Sequence, residues 1–137
     1  MDFKLLQKQI DSFIGDYGSE TLINYLQDFK KNNPEKDYEY FNVLLSVVLK
    51  MYNVSKSQIL DMNNLKPPVV DARRQLVYFI TLEKGLPNAF ITNWFGCKLR
   101  SVYRYQKEVK ERLIEKKIYK HFNIENEKIK NLIKDYV

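Results

Sequence analysis

Apolar side chains recur along this chain at steps of three and four residues, which predicts amphipathic helices. Phe3, Leu6, Ile10, Phe13 and Ile14 place a first helix over residues 2–14. Gly15 and Gly18 bracket a turn. Ser19 can cap a second helix over 19–31, with Glu20 in its first turn, where the helix dipole favours an anion. Leu22, Tyr25, Leu26 and Phe29 share one face of that helix, and Asn32, Asn33 and Pro34 stop it. Asp37 can cap a third helix to about Tyr52, in which Tyr40, Phe41, Val43, Leu44, Leu45, Val47, Val48, Leu49 and Met51 cover most of the circumference. A helix apolar nearly all round belongs at the centre of a core.

Ser55 and Gln58 have capping-box spacing and open a short helix anchored by Ile59 and Leu60. Residues 61–68 read as a loop, and Pro67 and Pro68 fit at or just before the start of the next helix. That helix spans about 69–84, with Val69, Ala72, Leu76, Phe79 and Ile80 at helical spacing and Gly85 as its stop. A short apolar helix over 88–95 ends at Gly96, and a long one runs from about Leu99 to Tyr119. Asn123 can cap a last helix carrying Ile124, Ile129, Leu132, Ile133 and Tyr136. The pattern predicts an all-α fold, with Asn32 to Lys36 as the best linker. The expected divisions are a helical pair over 1–36, a domain over 37–120 and a C-terminal helix over 121–137.

Composition narrows the class. Of 137 residues, 45% are hydrophobic and 29% charged, which is globular and not disordered. Four Gly and four Pro argue against a loop-rich β-sandwich. One Cys excludes an internal disulfide and suggests a reducing, cytoplasmic setting. The apolar run Val43 to Leu49 is too short to span a bilayer, and the first ten residues lack the pattern of a signal peptide, so no membrane partner is expected.

The formal net charge is +6, and its location is more informative than its size. Residues 1–97 carry eleven basic and eleven acidic side chains, and residues 121–137 carry three of each. Residues 98–120 carry nine basic side chains against Glu108, Glu111 and Glu115. The whole excess therefore lies in one 23-residue segment, which points to a polyanion or an acidic surface as partner.

Residues 87–119 have the grammar of a helix-turn-helix: a short apolar helix, a tight turn with Gly96, then a longer helix. The longer helix has a seam of Leu99, Val102, Gln106, Val109 and Leu113, and Arg100, Arg104, Lys107 and Glu111 follow one another on another face. In such a motif the second helix enters the major groove by its first turns. Lys98, Arg100, Ser101 and Arg104 are the candidates for groove contact, where Arg and Lys can donate to guanine N7 and O6. Lys107 and Lys110 are candidates for phosphate contact. Tyr103, Tyr105 and Tyr119 interleave with these cations and could stack on bases, although tyrosines at this spacing are more often half-buried core.

From Val54 to Tyr105 the sequence resembles the C-terminal DNA-binding domain of the bacterial replication initiator DnaA, whose fold is related to the Trp repressor. The stretches that carry the resemblance are Tyr52-Asn53-Val54-Ser55, Ile59-Leu60, Ala72 through Phe79, Glu83-Lys84-Gly85-Leu86, Ile91, Phe95-Gly96 and Ser101-Val102. The resemblance implies that Arg73 and Arg74, on a helix behind the helix-turn-helix, approach the DNA backbone or minor groove, and that the next motif helix reads duplex DNA. The family's Arg-Asp-His-Thr-Thr-Val after Phe-Gly is replaced by Cys97-Lys98-Leu99-Arg100-Ser101-Val102, and Ala72 stands where the family often has Arg. The similarity thus covers the framework and not the base-reading set. No G-x-x-x-x-G-K-[ST] loop is present, so the chain lacks the initiator's ATPase signature.

Other chemistry finds little support. His121 is the only histidine and has no nucleophile signature around it, and no Cys/His spacing suggests zinc or any other metal. Cys97 beside Lys98 is either a reactive thiol or a small apolar residue in a tight turn, and the second reading is favoured. Trp94 reads as core. The expected protein is a non-enzymatic double-stranded DNA-binding protein without cofactors, acting in replication or transcription control. Abundant Lys, Asn, Ile and Tyr suggest an AT-rich genome, and a small stand-alone relative of the DnaA domain would suit a phage or mobile element. The alternative is a structural or adaptor protein, such as a virion component or host-factor inhibitor, that turns the basic helix toward an acidic protein. Helices 2–14 and 19–31 either cover the core or form a dimer face, which leaves monomer and homodimer open.

Overall fold

The computed structural model describes residues 34–134. The helices predicted over 2–14 and 19–31, with any dimer face they form, lie outside the described residues. The chain divides between Tyr38 and Glu39, and Glu39–Val137 is one compact unit. The fold is all-α. The helices are α1 (Pro34–Tyr52), α2 (Lys56–Leu60), α3 (Pro67–Val77), α4 (Asn88–Phe95), α5 (Leu99–Ile114) and α6 (Lys120–Ile133), and α3 continues into a π-helical segment, Tyr78–Glu83. No helix among the described residues is long and apolar enough to cross a membrane.

Local signals act as the sequence predicts at several ends. Ser55 and Gln58 close a capping box before α2: the Gln58 amide donates to Ser55 Oγ at 3.1 Å and the Ser55 amide to Gln58 Oε1 at 2.8 Å. Pro67 and Pro68 occupy the first turn of α3, where no amide donor is required. Gly85 follows the π segment in left-handed conformation, with φ of 76°.

The centre of the core differs from the prediction. α1 buries Tyr40, Phe41, Leu44, Leu45 and Val48, but Asn42, Ser46 and Lys50 leave a wet stripe along it. The deepest element is α3 with its π continuation, where Ala72, Arg73 and every residue from Gln75 to Ile80 are buried. The pattern predicts an ordinary helix over 69–84, whereas the Lys84 amide reaches back five residues to the Phe79 carbonyl at 2.9 Å. Five consecutive residues, Leu76 to Ile80, go round the whole circumference, so their burial means that this helix is covered on every side.

Two polar side chains make that depth possible. Gln75 Nε2 donates to Tyr52 Oη at 3.1 Å and to the Phe122 carbonyl at 3.3 Å, and its Oε1 accepts from Asn126 Nδ2 at 2.9 Å. This bridge joins the end of α1, α3 and α6, and Phe122, Ile129 and Ile133 of α6 enter the same apolar cluster. The C-terminal helix is therefore part of this unit and not an appendage.

The predicted helix over 99–119 is shorter than expected. α5 stops at Ile114, and α6 starts at Lys120, so Asn123 lies inside α6 and not at its cap. Asn123 Nδ2 instead donates to the carbonyls of Arg112 (2.8 Å) and Tyr119 (2.9 Å), and so satisfies an acceptor in the last turn of α5.

Candidate nucleic-acid interface

α4 is fixed by its aromatic face. Phe41 of α1 meets Phe90 and Trp94 edge-on at 5.4 and 5.0 Å, and Ile91 and Phe95 are buried beneath. Gly96 then turns the chain with φ of 66°, and the amides of Gly96 and Cys97 both donate to the Thr92 carbonyl. Two residues later α5 begins. The α4–turn–α5 succession falls where the sequence places it.

α5 is seated by Val102, Tyr105 and Val109. Gln106 adds a polar anchor, with its Nε2 donating to Thr81 Oγ1 at 2.9 Å and to Asn88 Oδ1 at 3.0 Å. One amide thus ties α5 to the π segment and to the start of α4. Tyr105, a candidate for base stacking, is core, 1% exposed. Leu99, predicted in the apolar seam, faces outward instead at 45% exposure. A helix start has no preceding turn to cover it, and the seated side of Val102, Tyr105 and Val109 lies about 60° to 120° round the helix from it.

The outward side of α5 and its turn presents Lys98, Arg100, Arg104, Lys107 and Lys110, with Leu99 and Tyr103 between them. Among the described residues no ion pair reaches Lys98, Arg100, Lys107 or Lys110, and Arg104 has only a 3.9 Å contact to Glu108. Glu111 is exposed on this side, and Glu115, four residues on at the end of α5, is exposed as well. Ser101 is half-buried, with its amide donating to the Lys98 carbonyl. The five predicted cations are thus all exposed, Arg100, Arg104, Lys107 and Lys110 fall within about a third of the circumference of α5, and Ser101 is half-buried.

Arg73 and Arg74 do not join it. Arg73 is fully buried, and its guanidinium donates to the carbonyls of Ile59 (2.9 Å), Asn64 (2.7 Å), Gln58 (3.2 Å) and Asp61. It closes the end of α2 and the following loop, so it has no reach to a phosphate. The cause lies in α2, which ends with open carbonyls, several of which a planar fork of donors satisfies at once. Arg74 is paired with Asp71 and Glu108, both at 2.7 Å. Burial alone would lower its pKa, but the hydrogen bonds and charges of Glu108 and Asp71 raise it, so the ion pair is firmly held. Both predicted phosphate contacts of α3 are thus structural.

The same pairing sorts the acids. Glu108 turns inward to Arg74, and Arg112 stacks over the Tyr119 ring at 4.6 Å with its Nε 4.0 Å from Asp71. The groove between α3 and α5 lined by Arg74, Arg104, Arg112, Asp71 and Glu108 is charged, but its cations face its own carboxylates. The free positive charge is displaced onto the outer face.

Cys97 is partly covered, and burial pushes its thiol up from the usual value despite a backbone hydrogen bond and the nearby Arg104. That is the packing role and not a reactive thiolate. Burial also raises the pKa of the Tyr52 phenol and of the Glu125 carboxyl beside it. Among the described residues no group of three or more His, Cys, Asp or Glu side chains could hold a metal.

No family model, curated protein or solved structure matches the chain, so the DnaA-like reading is carried by the quoted residues alone.

Proposed function

We propose that this chain is a double-stranded DNA-binding protein that lays the first turns of α5 in the major groove, in replication or transcription control, and that it is not an enzyme. The observation that carries the reading is the outward face of α5. Lys98, Arg100, Lys107 and Lys110 are exposed and unpaired among the described residues, while Glu108 of the same helix is turned toward Arg74 of α3. Such a face follows a short helix and a tight left-handed turn, which is the arrangement a groove-entering helix uses. The sequence similarity to the DnaA domain supports the same reading. Arg100 suits guanine N7 and O6, and Lys107 and Lys110 suit phosphates.

Titration with random and selected duplexes across salt tests this. Binding should weaken with a log–log slope of about −0.9 per phosphate neutralised. Absence of binding to either duplex at low salt would end the DNA reading.

One observation favours a second reading, a surface for an acidic protein. Ile114 and Ile118 are 80% and 73% exposed beside Lys116 and Lys117, an apolar and cationic mixture at the end of α5. Under it, a nuclease-treated extract yields an acidic partner, and Ile114→Ser with Ile118→Ser loses that partner while duplex binding is unchanged.

A further inference from the structure

Leu99 is the unexpected member of the outward face. It is the first residue of α5, between Lys98 and Arg100, and stays 45% exposed while the buried side of the helix is formed by Val102, Tyr105 and Val109. One turn on, at i+4, Tyr103 is also 53% exposed. Together they make a short apolar strip along the axis of the helix. Cations border it: Lys98 and Arg100 at its start, Arg104 beside Tyr103, and Lys107 a further turn on.

Duplex DNA offers the complementary layout. Phosphates line both rims of the major groove, and on its floor the thymine C5 methyl is the apolar group that marks one base pair from another. A helix entering by its N-terminus brings its first side chains to the base edges. From this placement we infer that Leu99 is a specificity-determining residue that reads a thymine methyl, with Tyr103 extending the contact one turn further, an inference that rests on the DNA reading above. The target therefore contains thymine at the position under the start of α5, next to the guanine or phosphate that Arg100 meets. The basic residues alone would give affinity with little choice of sequence.

The test uses the full chain and a duplex it selects from random sequence. Each thymidine is replaced in turn by deoxyuridine, which removes the methyl and keeps the base-pairing hydrogen bonds. At one position the wild-type chain should bind about fourfold more weakly, the value of one buried methyl. Leu99→Ala should bind the thymidine and deoxyuridine duplexes equally, while its helical circular dichroism and melting remain those of the wild type, since Leu99 is outside the core. Equal wild-type affinity for every substituted duplex overturns the inference. So does a thymidine preference that survives in Leu99→Ala, and Tyr103→Ala then shows whether the tyrosine alone reads the methyl. Failure to bind any duplex at low salt overturns the DNA reading itself, and with it this inference. That failure is distinguishable from the others, which are seen only with bound duplexes.

Discussion

The arginines of α3 and the cations of α5 bring the same charge into opposite surroundings. In α3, Arg73 meets four backbone carbonyls and Arg74 meets two carboxylates, so their charge is used within the fold. In α5, Arg100, Lys107 and Lys110 meet no carboxylate among the described residues and face outward. A count of basic residues treats the two helices alike. What separates them is the acceptor within reach: the open end of α2 and the inward-turned Asp71 and Glu108 for α3, and water for α5.

The sharpest way to break this contrast is at Arg73. Arg73→Met leaves several buried carbonyls without donors, and we expect a loss of about 3 kcal/mol or more in stability, read by urea unfolding. Arg73→Lys should recover only part of it, because an ammonium cannot span the same acceptors. A variant that unfolds at the wild-type urea concentration would place Arg73 outside the structural set. Gly96→Ala is a milder probe of the turn that orients α5. Nothing lies within 4 Å of an added Cβ, so the cost is the left-handed backbone alone, about 1 kcal/mol. A much larger loss in thermal melting would show that the turn also depends on close packing.

The smallest effect concerns Glu125. Burial, ahead of nearby charges, raises its carboxyl pKa in the folded chain. The folded state then holds this proton more tightly than the unfolded state, so protonation of Glu125 favours folding. That contribution is full below the ordinary carboxylate range and is lost as pH rises from there through the raised value. Glu125→Gln should remove this pH dependence and raise stability at neutral pH by less than about 1 kcal/mol, seen as a flatter curve of melting temperature against pH. A lower stability at neutral pH would mean that the charged carboxylate is needed by Tyr52.

How much of this could be read from the sequence depends on where each determinant sits. α4 is bounded by Pro87 and Gly96, both local signals, and its predicted and observed limits coincide. The capping box of Ser55 and Gln58 is equally local. The end of α5 is not. Glu115, Lys116 and Lys117 are good helix formers with no Gly or Pro among them, and the break after Ile114 goes with Asn123 on the Arg112 carbonyl and Arg112 on the Tyr119 ring. The burial of Arg73 and Gln75 has the same origin, since their partners lie 9 to 51 residues away in the chain. Apolar periodicity also put α1 at the core's centre, because it has no means to see a buried arginine whose charge is satisfied by backbone. At the candidate interface the five cations were legible, but the outward turn of Leu99 was not.

The central claim is that the cations available to a polyanion are those of α5 and not those of α3. It is tested most directly by the salt dependence of duplex binding in three proteins: wild type, Lys107→Ala with Lys110→Ala, and Arg74→Ala, each confirmed as folded. The double α5 variant should bind more weakly, and its log–log slope should shrink by up to about 1.8, because two phosphates are no longer neutralised. Arg74→Ala should melt earlier but keep the wild-type slope. A slope reduced by Arg74→Ala and unchanged by the α5 variant would contradict the claim.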